Sequence, residues 1–430
     1  MRNHDHAERR RYFAQKAIRT SLCCFCLLVP LTIAGANIAW GLVLASLVAC
    51  AVFGGSVAIR AHRSALEGPL WIYLGVSILT AALGVDPAHS FRFLHQDAHK
   101  VFLYTLFSVA LATEPAPQAL ACMAAGFAAA SLIGIGQTVW SVVARGLAQG
   151  LWFRAHAFVH PVTFGEQAAV AALGAVCFLA KPEGMLKTPW QSRTGWALLV
   201  LTAAALLLSQ TRGALVSFIA GLAAVCWFVR GLRRPLLLAI PLAVIVIPLI
   251  ERLKYGRTLL AEMIFTPGPG NAPVVGGQLE RLPLWAAAWS MGKDHLWTGV
   301  GLNNYRTALP QYLSATFTDG TRSWGTAHNL YLHQFAERGL IGVGALGLLL
   351  GAFWIRALQR ARQDASAWNL WAFGTATAFL VMNVTEVALQ TEILWMLVFF
   401  VWVWAEARHR ERFRGRFIDI ISPRGNENGY

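Results

Sequence analysis

Long apolar stretches separated by short polar segments make up most of this chain of 430 residues. A helix of about 20 apolar residues, rising about 1.5 Å per residue, crosses the hydrocarbon core of a membrane. The pattern therefore predicts an all-α, polytopic membrane protein with about twelve transmembrane helices. The predicted spans are 18–36, 38–59, 69–85, 101–112, 118–143, 164–180, 194–208, 213–229, 235–250, 329–355, 367–385 and 393–405. The span at 101–112 is short, and we expect its helix to begin earlier, near Leu94.

One long polar segment interrupts this pattern between the ninth and tenth spans. It divides the chain into five parts, which we predict as a cytoplasmic N-terminal tail, nine spans, a large periplasmic loop, three spans and a cytoplasmic C-terminal tail. Their respective ranges are 1–17, 18–250, 251–327, 328–405 and 406–430. The first span follows the basic residues Arg9–Arg11 as a signal peptide would, but we expect it to be retained as an anchor.

Composition supports the membrane class and gives the chain an orientation. Hydrophobic residues make up 56% of the chain and charged residues only 13%, which is too few to cover a soluble protein of this length. With a cytoplasmic N-terminus, the inner segments hold most of the arginine and lysine residues, as the positive-inside rule requires. The formal net charge of +15 is then explained by anionic membrane lipid, so no nucleic acid is expected as a partner.

His328 is the first candidate for chemistry, because it lies where the long polar segment meets the tenth span. Imidazole titrates near neutral pH, so it can accept a proton from a hydroxyl group. The alternative is an interfacial histidine that only caps the helix. From position alone the two interpretations have equal weight.

Arginine residues on the same predicted side could bind phosphate oxygens through their planar fork of N–H groups. Arg281 lies in a predicted helix that runs over 278–289, where it shares a face with Trp285 and Trp289. Arg212 lies in a tight and otherwise apolar turn between two spans, where an arginine that binds nothing is costly. Arg154 lies in an aromatic loop that could contact a lipid diphosphate or form part of an interfacial aromatic belt.

Three further sets of polar residues have competing interpretations. Glu337 and Arg338 lie deep in the tenth span, and we expect them to pair with neighbouring helices, although Glu337 could orient the site. His95, Asp97 and His99 have helical spacing that could chelate a metal, but no clear further ligand is near. Asp86 or Asp97 could instead be a catalytic base, since many membrane glycosyltransferases use an outer-loop carboxylate in that role.

These features together resemble the O-antigen ligase family of bacterial inner membranes. The order of spans and the single large loop are similar, and so is the segment from Asp294 to Tyr305, apart from Leu296, where the family commonly has proline. The segment from His328 to Gly339, with Asn329, Leu332 and Glu337, is similar to the family's histidine motif. Arg281 and Arg212 match its key arginines. The topology covers the whole chain, and the motifs cover about a quarter of it.

The resemblance implies a GT-C-like membrane glycosyltransferase of the Gram-negative inner membrane, with its active site on the periplasmic side. Such a ligase moves a preassembled O-antigen polysaccharide from undecaprenyl diphosphate to a sugar hydroxyl of lipid A–core, by inverting transfer without a metal or other cofactor. His328, Arg281 and Arg212 would be catalytic. Residues expected to contact substrate are Arg154, Asn329, Glu337, Tyr305 and Trp285.

Three other activities remain open from the sequence. An O-antigen polymerase or a protein O-oligosaccharyltransferase would share the histidine motif. The short segment after the last span favours the ligase over the protein-directed enzymes. A transporter or flippase for lipid-linked glycan belongs to a different class, and we expect it to show internal repeats and charges at the membrane midplane. No such repeat is evident.

Overall fold

The computed structural model describes residues 2–53, 64–114, 116–150, 152–181, 189–234, 281–313 and 324–421, with isolated positions between 236 and 249. All regular secondary structure in these ranges is helical, as the apolar pattern predicts. The α-helices are α1 (Arg2–Leu28), α2 (Ile33–Phe53), α3 (Glu67–Leu83), α4 (Pro87–Phe93), α5 (His95–Thr113), α6 (Ala119–Gly150), α7 (Pro161–Ala180), α8 (Pro189–Leu208), α9 (Arg212–Phe228), α10 (Arg281–Asp294), α11 (Tyr305–Ala308), α12 (Leu330–Gln363), α13 (Ala367–Thr385) and α14 (Glu392–Ile421).

Four of the described helices are long and apolar enough to cross a membrane. Their spanning parts are Ile33–Val52, Ala119–Leu147, Pro161–Ala180 and Leu330–Gln363. Three shorter apolar helices cover Glu67–Leu83, Ser192–Leu208 and Arg212–Phe228. The total of about twelve spans stays a prediction. The span predicted at 235–250 and the loop residues 251–280 lie largely outside the described residues.

Most predicted spans coincide with helices, and the clearest difference is at the first one. The predicted span 18–36 is wrong as a single helix, because α1 ends at Leu28 and α2 begins at Ile33. Pro30 lies in the break, where its ring and missing N–H are incompatible with a continuous helix. The short span at 101–112 is part of a longer helix that begins at His95, so the expectation of an earlier start is confirmed.

The centre of the molecule is formed by α7, α13 and the first half of α14. Every residue from Thr163 to Phe178 on α7 is buried, and so is every residue from Ile393 to Ala405 on α14. The loop between α6 and α7 and the junction of α8 and α9 meet at one end of this bundle, where Ala155 N–H donates to the carbonyl of Leu208 at 3.0 Å.

Helix α12 is kinked, and residues 296–301 bind its open backbone groups. Gly339 has a φ of 59°, a left-handed conformation that glycine adopts without a steric penalty. The N–H groups of Val300 and Gly301 donate to the carbonyls of Ala336 and Glu337, at 2.8 Å and 2.9 Å. On the other side of the kink, Leu340 N–H donates to Leu296 O at 2.8 Å. The long polar segment is therefore attached to α12 through backbone groups that a straight helix would use internally.

The predicted pairing of the deep charges is confirmed for Arg338. One of its terminal nitrogens lies 2.6 Å from Oδ2 of Asp97 on α5 and the other donates to Ser77 Oγ at 2.9 Å. Lys100 donates to the other carboxylate oxygen of Asp97 at 2.8 Å. This buried network joins α3, α5 and α12.

Candidate active site

The candidate site lies where α12 begins and α13 ends. Asn329 caps α12, because its side-chain oxygen accepts the N–H of Leu332 at 3.0 Å. His328, immediately before the cap, has a φ of 49°, which is uncommon for a residue other than glycine. Since Asn329 supplies the cap, the capping interpretation of His328 is wrong. Such backbone strain is concentrated at functional sites.

Glu386 fixes the imidazole of His328. Nδ1 of His328 lies 3.0 Å from Oε2 of Glu386, and the two side chains are 33% and 15% exposed. The backbone adds a second link, because Leu330 N–H donates to the carbonyl of Glu386 at 3.2 Å. With Nδ1 directed to the carboxylate, Nε2 is the ring nitrogen that can act on a substrate.

Arg281, the first residue of α10, binds the same carboxylate from the other side. One terminal nitrogen lies 2.6 Å from Oε1 of Glu386, and the other donates to the carbonyl of Thr385 at 2.7 Å. The planar guanidinium is thus held by two acceptors on consecutive residues, a geometry that a lysine cannot reproduce. The carboxylate of Glu386 joins the imidazole and the guanidinium in one cluster.

Arg154 and the start of α9 bring further positive charge to this end of the bundle. The guanidinium of Arg154 donates to Ser209 O at 3.0 Å and to Thr211 Oγ1 at 2.9 Å. Arg212, half-buried, is the first residue of α9. A Cβ atom at Gly213 would lie 2.3 Å from Thr385 Oγ1, so only glycine allows α9 to approach α13 this closely.

His160 lies immediately before Pro161, whose carbonyl accepts a hydrogen bond from Thr211 Oγ1 at 3.2 Å. It caps α7, its Nδ1 accepting the N–H of Val162 at 3.3 Å. Partial burial lowers the pKa of His160, and the guanidinium of Arg154 lowers it further, whereas the charge of Glu386 acts in the opposite direction. The neutral form of His160 is therefore favoured at neutral pH.

Two residues expected to contact substrate are instead part of the interior. Tyr305 is fully buried, and its hydroxyl donates to Leu284 O at 3.1 Å. Glu337 is also buried, accepts the N–H of Tyr305 at 3.3 Å and lies 3.5 Å from Nε2 of His333. Both side chains anchor the loop to α12, so in this structure neither presents a polar atom to a substrate at the surface.

Trp285 and Asn329 lie beside the cluster with different roles. Trp285 is half-buried one helical turn after Arg281. Its ring packs against the buried apolar cluster to which α10 contributes. Asn329 is buried, and its side-chain oxygen is occupied by its cap. The ring of Trp324 meets the ring of His328 edge-on, with centroids 6.2 Å apart.

The structure does not support a metal site at His95, Asp97 and His99. Asp97 is buried against Arg338 and Lys100, His95 faces the carbonyl of Arg92 at 2.7 Å, and His99 lies 3.7 Å from Glu392. The three side chains therefore have separate partners. In the described parts of the chain, no three His, Cys, Asp or Glu residues form a group suited to a metal ion.

Asp86 and Asp97, the two carboxylates considered as alternative bases, both have hydrogen-bond partners outside the candidate site. Asp97 has hydrogen bonds from Ser77, Lys100 and Arg338 and is buried, so it cannot reach an acceptor hydroxyl. Asp86 is exposed, and its side chain caps α4 by accepting the N–H of His89 at 2.9 Å.

Sequence reasoning missed Glu386, the residue that organises the cluster. Its signal was present, because Thr385-Glu386 is the polar junction between two strongly apolar spans, on the same predicted side as His328. A charged residue in an apolar turn is costly unless it binds something. That reason singled out Arg212, and it applies equally to Glu386. Glu166 on α7 was missed as well, and it is a buried carboxylate within electrostatic range of Glu386.

Comparison with known proteins gives a match to one family model. The model of a protein family described as O-Antigen ligase matches residues 197–347. The matched range contains Arg212, Arg281 and His328, and the resemblance to this family is thereby confirmed. No curated protein matches the chain significantly.

Proposed function

We propose that this protein transfers a polysaccharide, preassembled on undecaprenyl diphosphate, to a sugar hydroxyl of lipid A–core. The transfer takes place on the periplasmic face of the bacterial inner membrane, with the loop 251–327 and the start of α12 on that side. The family match supports glycosyl transfer of the O-antigen ligase or polymerase type. The observation that carries the proposal is the joint binding of His328 and Arg281 by Glu386.

His328 acts as the general base. Glu386 accepts a hydrogen bond from Nδ1–H, so that Nε2 carries the lone pair that takes the proton of the acceptor hydroxyl. The acceptor oxygen forms a bond to the anomeric carbon as the bond from that carbon to the diphosphate oxygen breaks. The attack comes from the face opposite the leaving group, so the configuration inverts. The carboxylate of Glu386 stabilises the imidazolium that forms.

The arginines stabilise the departing undecaprenyl diphosphate, on which negative charge develops. Arg154 and Arg212, at the junction of α6–α7 and α8–α9, bind its phosphate oxygens, and Arg281 adds a third guanidinium from α10. Preorganised charges of this kind cost no reorganisation during the reaction, and one such contact contributes about 3 kcal/mol. Guanidinium groups supply the positive charge that a divalent ion supplies in other glycosyltransferases, so the proposed transfer needs no metal.

Each remaining residue has a defined part in this proposal. Asn329 caps α12 and so fixes the start of this helix directly after His328. Glu337 and Tyr305 hold the loop that supplies Arg281. Trp285 lies beside Arg281 at the height of the lipid headgroups, where an indole ring is favourable.

A reconstituted assay tests the proposal and separates it from its rivals. The purified protein is mixed with glycan on undecaprenyl diphosphate and with lipid A–core, in the presence of a chelator. We expect glycan-modified lipid A–core as the product. Elongated lipid-linked glycan would indicate a polymerase, and a glycosylated protein acceptor would indicate an oligosaccharyltransferase. Movement of the donor across liposomes without transfer would indicate a flippase and overturn the proposal.

A further inference from the structure

An apolar cavity of about 500 Å³ lies between α6, α7 and α8, well removed along these helices from His160. Its walls come from residues 120–128 of α6, 171–179 of α7 and 194–201 of α8, with Trp371 of α13. The candidate active site lies at the other end of the same three helices. One set of helices thus carries both a polar site and an apolar cavity.

The chemistry of the walls restricts the occupant to hydrocarbon. Thr194 is the one lining residue with a hydroxyl group, and the other side chains are almost all aliphatic or aromatic. The polar atom of Trp371 is directed away, because its Nε1–H donates to the carbonyl of Val170 at 2.9 Å. A cavity of this composition does not retain ordered water, but it can hold an apolar chain.

The cavity is open to the lipid-facing surface of the protein. Four of its lining residues, Ala121, Ala125, Thr194 and Ala197, are exposed. They lie on α6, which is long and apolar enough to cross a membrane, and on α8, which is a shorter apolar helix. A hydrocarbon chain can therefore enter from the bilayer without passing through water.

Each of the three helices that line the cavity also extends to the end of the bundle where we propose that the diphosphate binds. At the site, Arg154 follows α6 and binds Ser209 at the end of α8, and His160 caps α7. Along α7, the distance from Pro161 to the first lining residue, Ala171, is about 15 Å, and to Leu179 it is about 27 Å. One leaflet occupies about half of a hydrocarbon core of roughly 30 Å. A chain anchored at the arginines must therefore exceed a phospholipid acyl chain in length to fill the cavity.

We propose that this cavity binds the distal part of the donor's polyprenyl chain, so that the enzyme recognises a long isoprenoid as well as the diphosphate. The inference rests on the proposed function for the identity of the donor. Binding energy from the distal chain lies far from the reacting atoms and is the same in the ground state and the transition state, so it lowers KM without changing kcat.

Two donors and three variants test this inference. The donors carry the same glycan diphosphate on an undecaprenyl chain or on a farnesyl chain, which is too short to extend beyond the near edge of the cavity. Ala125→Phe and Ala197→Phe fill the cavity from opposite walls. Gly136→Leu is the matched control on α6, because a Cβ added there meets no atom within 4 Å and the position is exposed outside the cavity.

We expect the wild type to show a lower KM for the undecaprenyl donor than for the farnesyl donor. Each phenylalanine variant should raise the KM of the undecaprenyl donor about tenfold and leave kcat and the farnesyl donor unchanged. Gly136→Leu should behave as the wild type. Equal KM values for the two donors in the wild type, or an equal loss on both donors in the variants, would overturn the inference alone. A wild type that transfers glycan from neither donor overturns the proposed function and this inference with it.

A second measurement does not depend on how well the variants fold. The wild type is irradiated with an undecaprenyl diphosphate that carries a photoreactive group on its terminal isoprene unit. We expect crosslinks within residues 120–128, 171–179 or 194–201. Crosslinks that are confined to other helices would overturn the inference, and crosslinks that an excess of phospholipid abolishes would show that an ordinary acyl chain occupies the cavity.

Discussion

Nδ1 of His328 lies 3.0 Å from Oε2 of Glu386, although 58 positions separate the two residues in the chain. The same carboxylate lies 2.6 Å from Arg281, and the three side chains come from the ends of three different helices. A base held by a carboxylate, with a guanidinium on the other carboxylate oxygen, is the arrangement from which the proposed transfer follows.

Replacing Glu386 by glutamine tests whether this carboxylate supports the base. The amide keeps the size of the side chain but loses the charge that stabilises the imidazolium. We expect Glu386→Gln to lower kcat about a hundredfold, with a small effect on the KM of the donor. Glu392→Gln is the matched control, because that carboxylate lies near His99 instead. Equal rates for Glu386→Gln and the wild type would remove Glu386 from the mechanism.

Arg281→Lys tests the requirement for a planar fork. Arg281 donates to Thr385 O and to Glu386 with two different nitrogens, and the single ammonium group of lysine cannot hold both in the same geometry. We expect kcat/KM to fall about tenfold for Arg281→Lys and further for Arg281→Ala. Lys293→Ala, an exposed change on the same helix, should leave steady-state transfer unaffected. The fork argument fails if lysine restores full activity.

Arg212→Ala tests the assignment of the diphosphate. Loss of one positive charge at the developing negative charge should lower kcat by about a hundredfold. The variant should also be compared with Arg154→Ala, since both residues lie at the same junction of helices. Rates for the two alanine variants that match the wild type would show that the leaving group is stabilised by other residues.

We predict that Asp97 has a structural role. A stability measurement distinguishes this role from that of a catalytic base. Removing one partner of its buried network leaves Arg338 without its carboxylate, so Asp97→Ala should destabilise the protein by about 3–5 kcal/mol. Thermal unfolding in detergent measures this loss. Asp97→Asn, which retains the volume, should keep kcat per folded molecule. An inactive but fully folded Asp97→Asn protein would instead support the carboxylate-base mechanism.

The sequence predicted the helical fold well, because a long run of apolar residues is enough to identify a membrane helix without knowledge of distant residues. It failed where a local feature depends on distant residues. Pro30 breaks the first predicted span, and the kink at Gly339 is stable only because residues 296–301 bind the open backbone groups of α12. Neither effect changes the average hydropathy from which the spans were read.

The candidate site was predicted in part for the same reason. His328, Arg281 and Arg212 stand out as polar residues at the ends of apolar spans, and the structure brings their helix ends together. Glu386 is 105 positions from Arg281, and spacing carries no sign of that contact. A buried and an exposed carboxylate look alike in a sequence, so Asp97 remained a candidate base until its ion pair with Arg338 was seen.

The central claim is that the imidazole of His328 takes the proton of the acceptor hydroxyl. Single-turnover transfer by purified wild type and His328→Ala, with undecaprenyl-diphosphate glycan and lipid A–core, measures this step directly. We predict that His328→Ala folds and binds the donor like the wild type but forms product at least about a hundredfold more slowly. Product formation by His328→Ala at the wild-type rate would contradict the account.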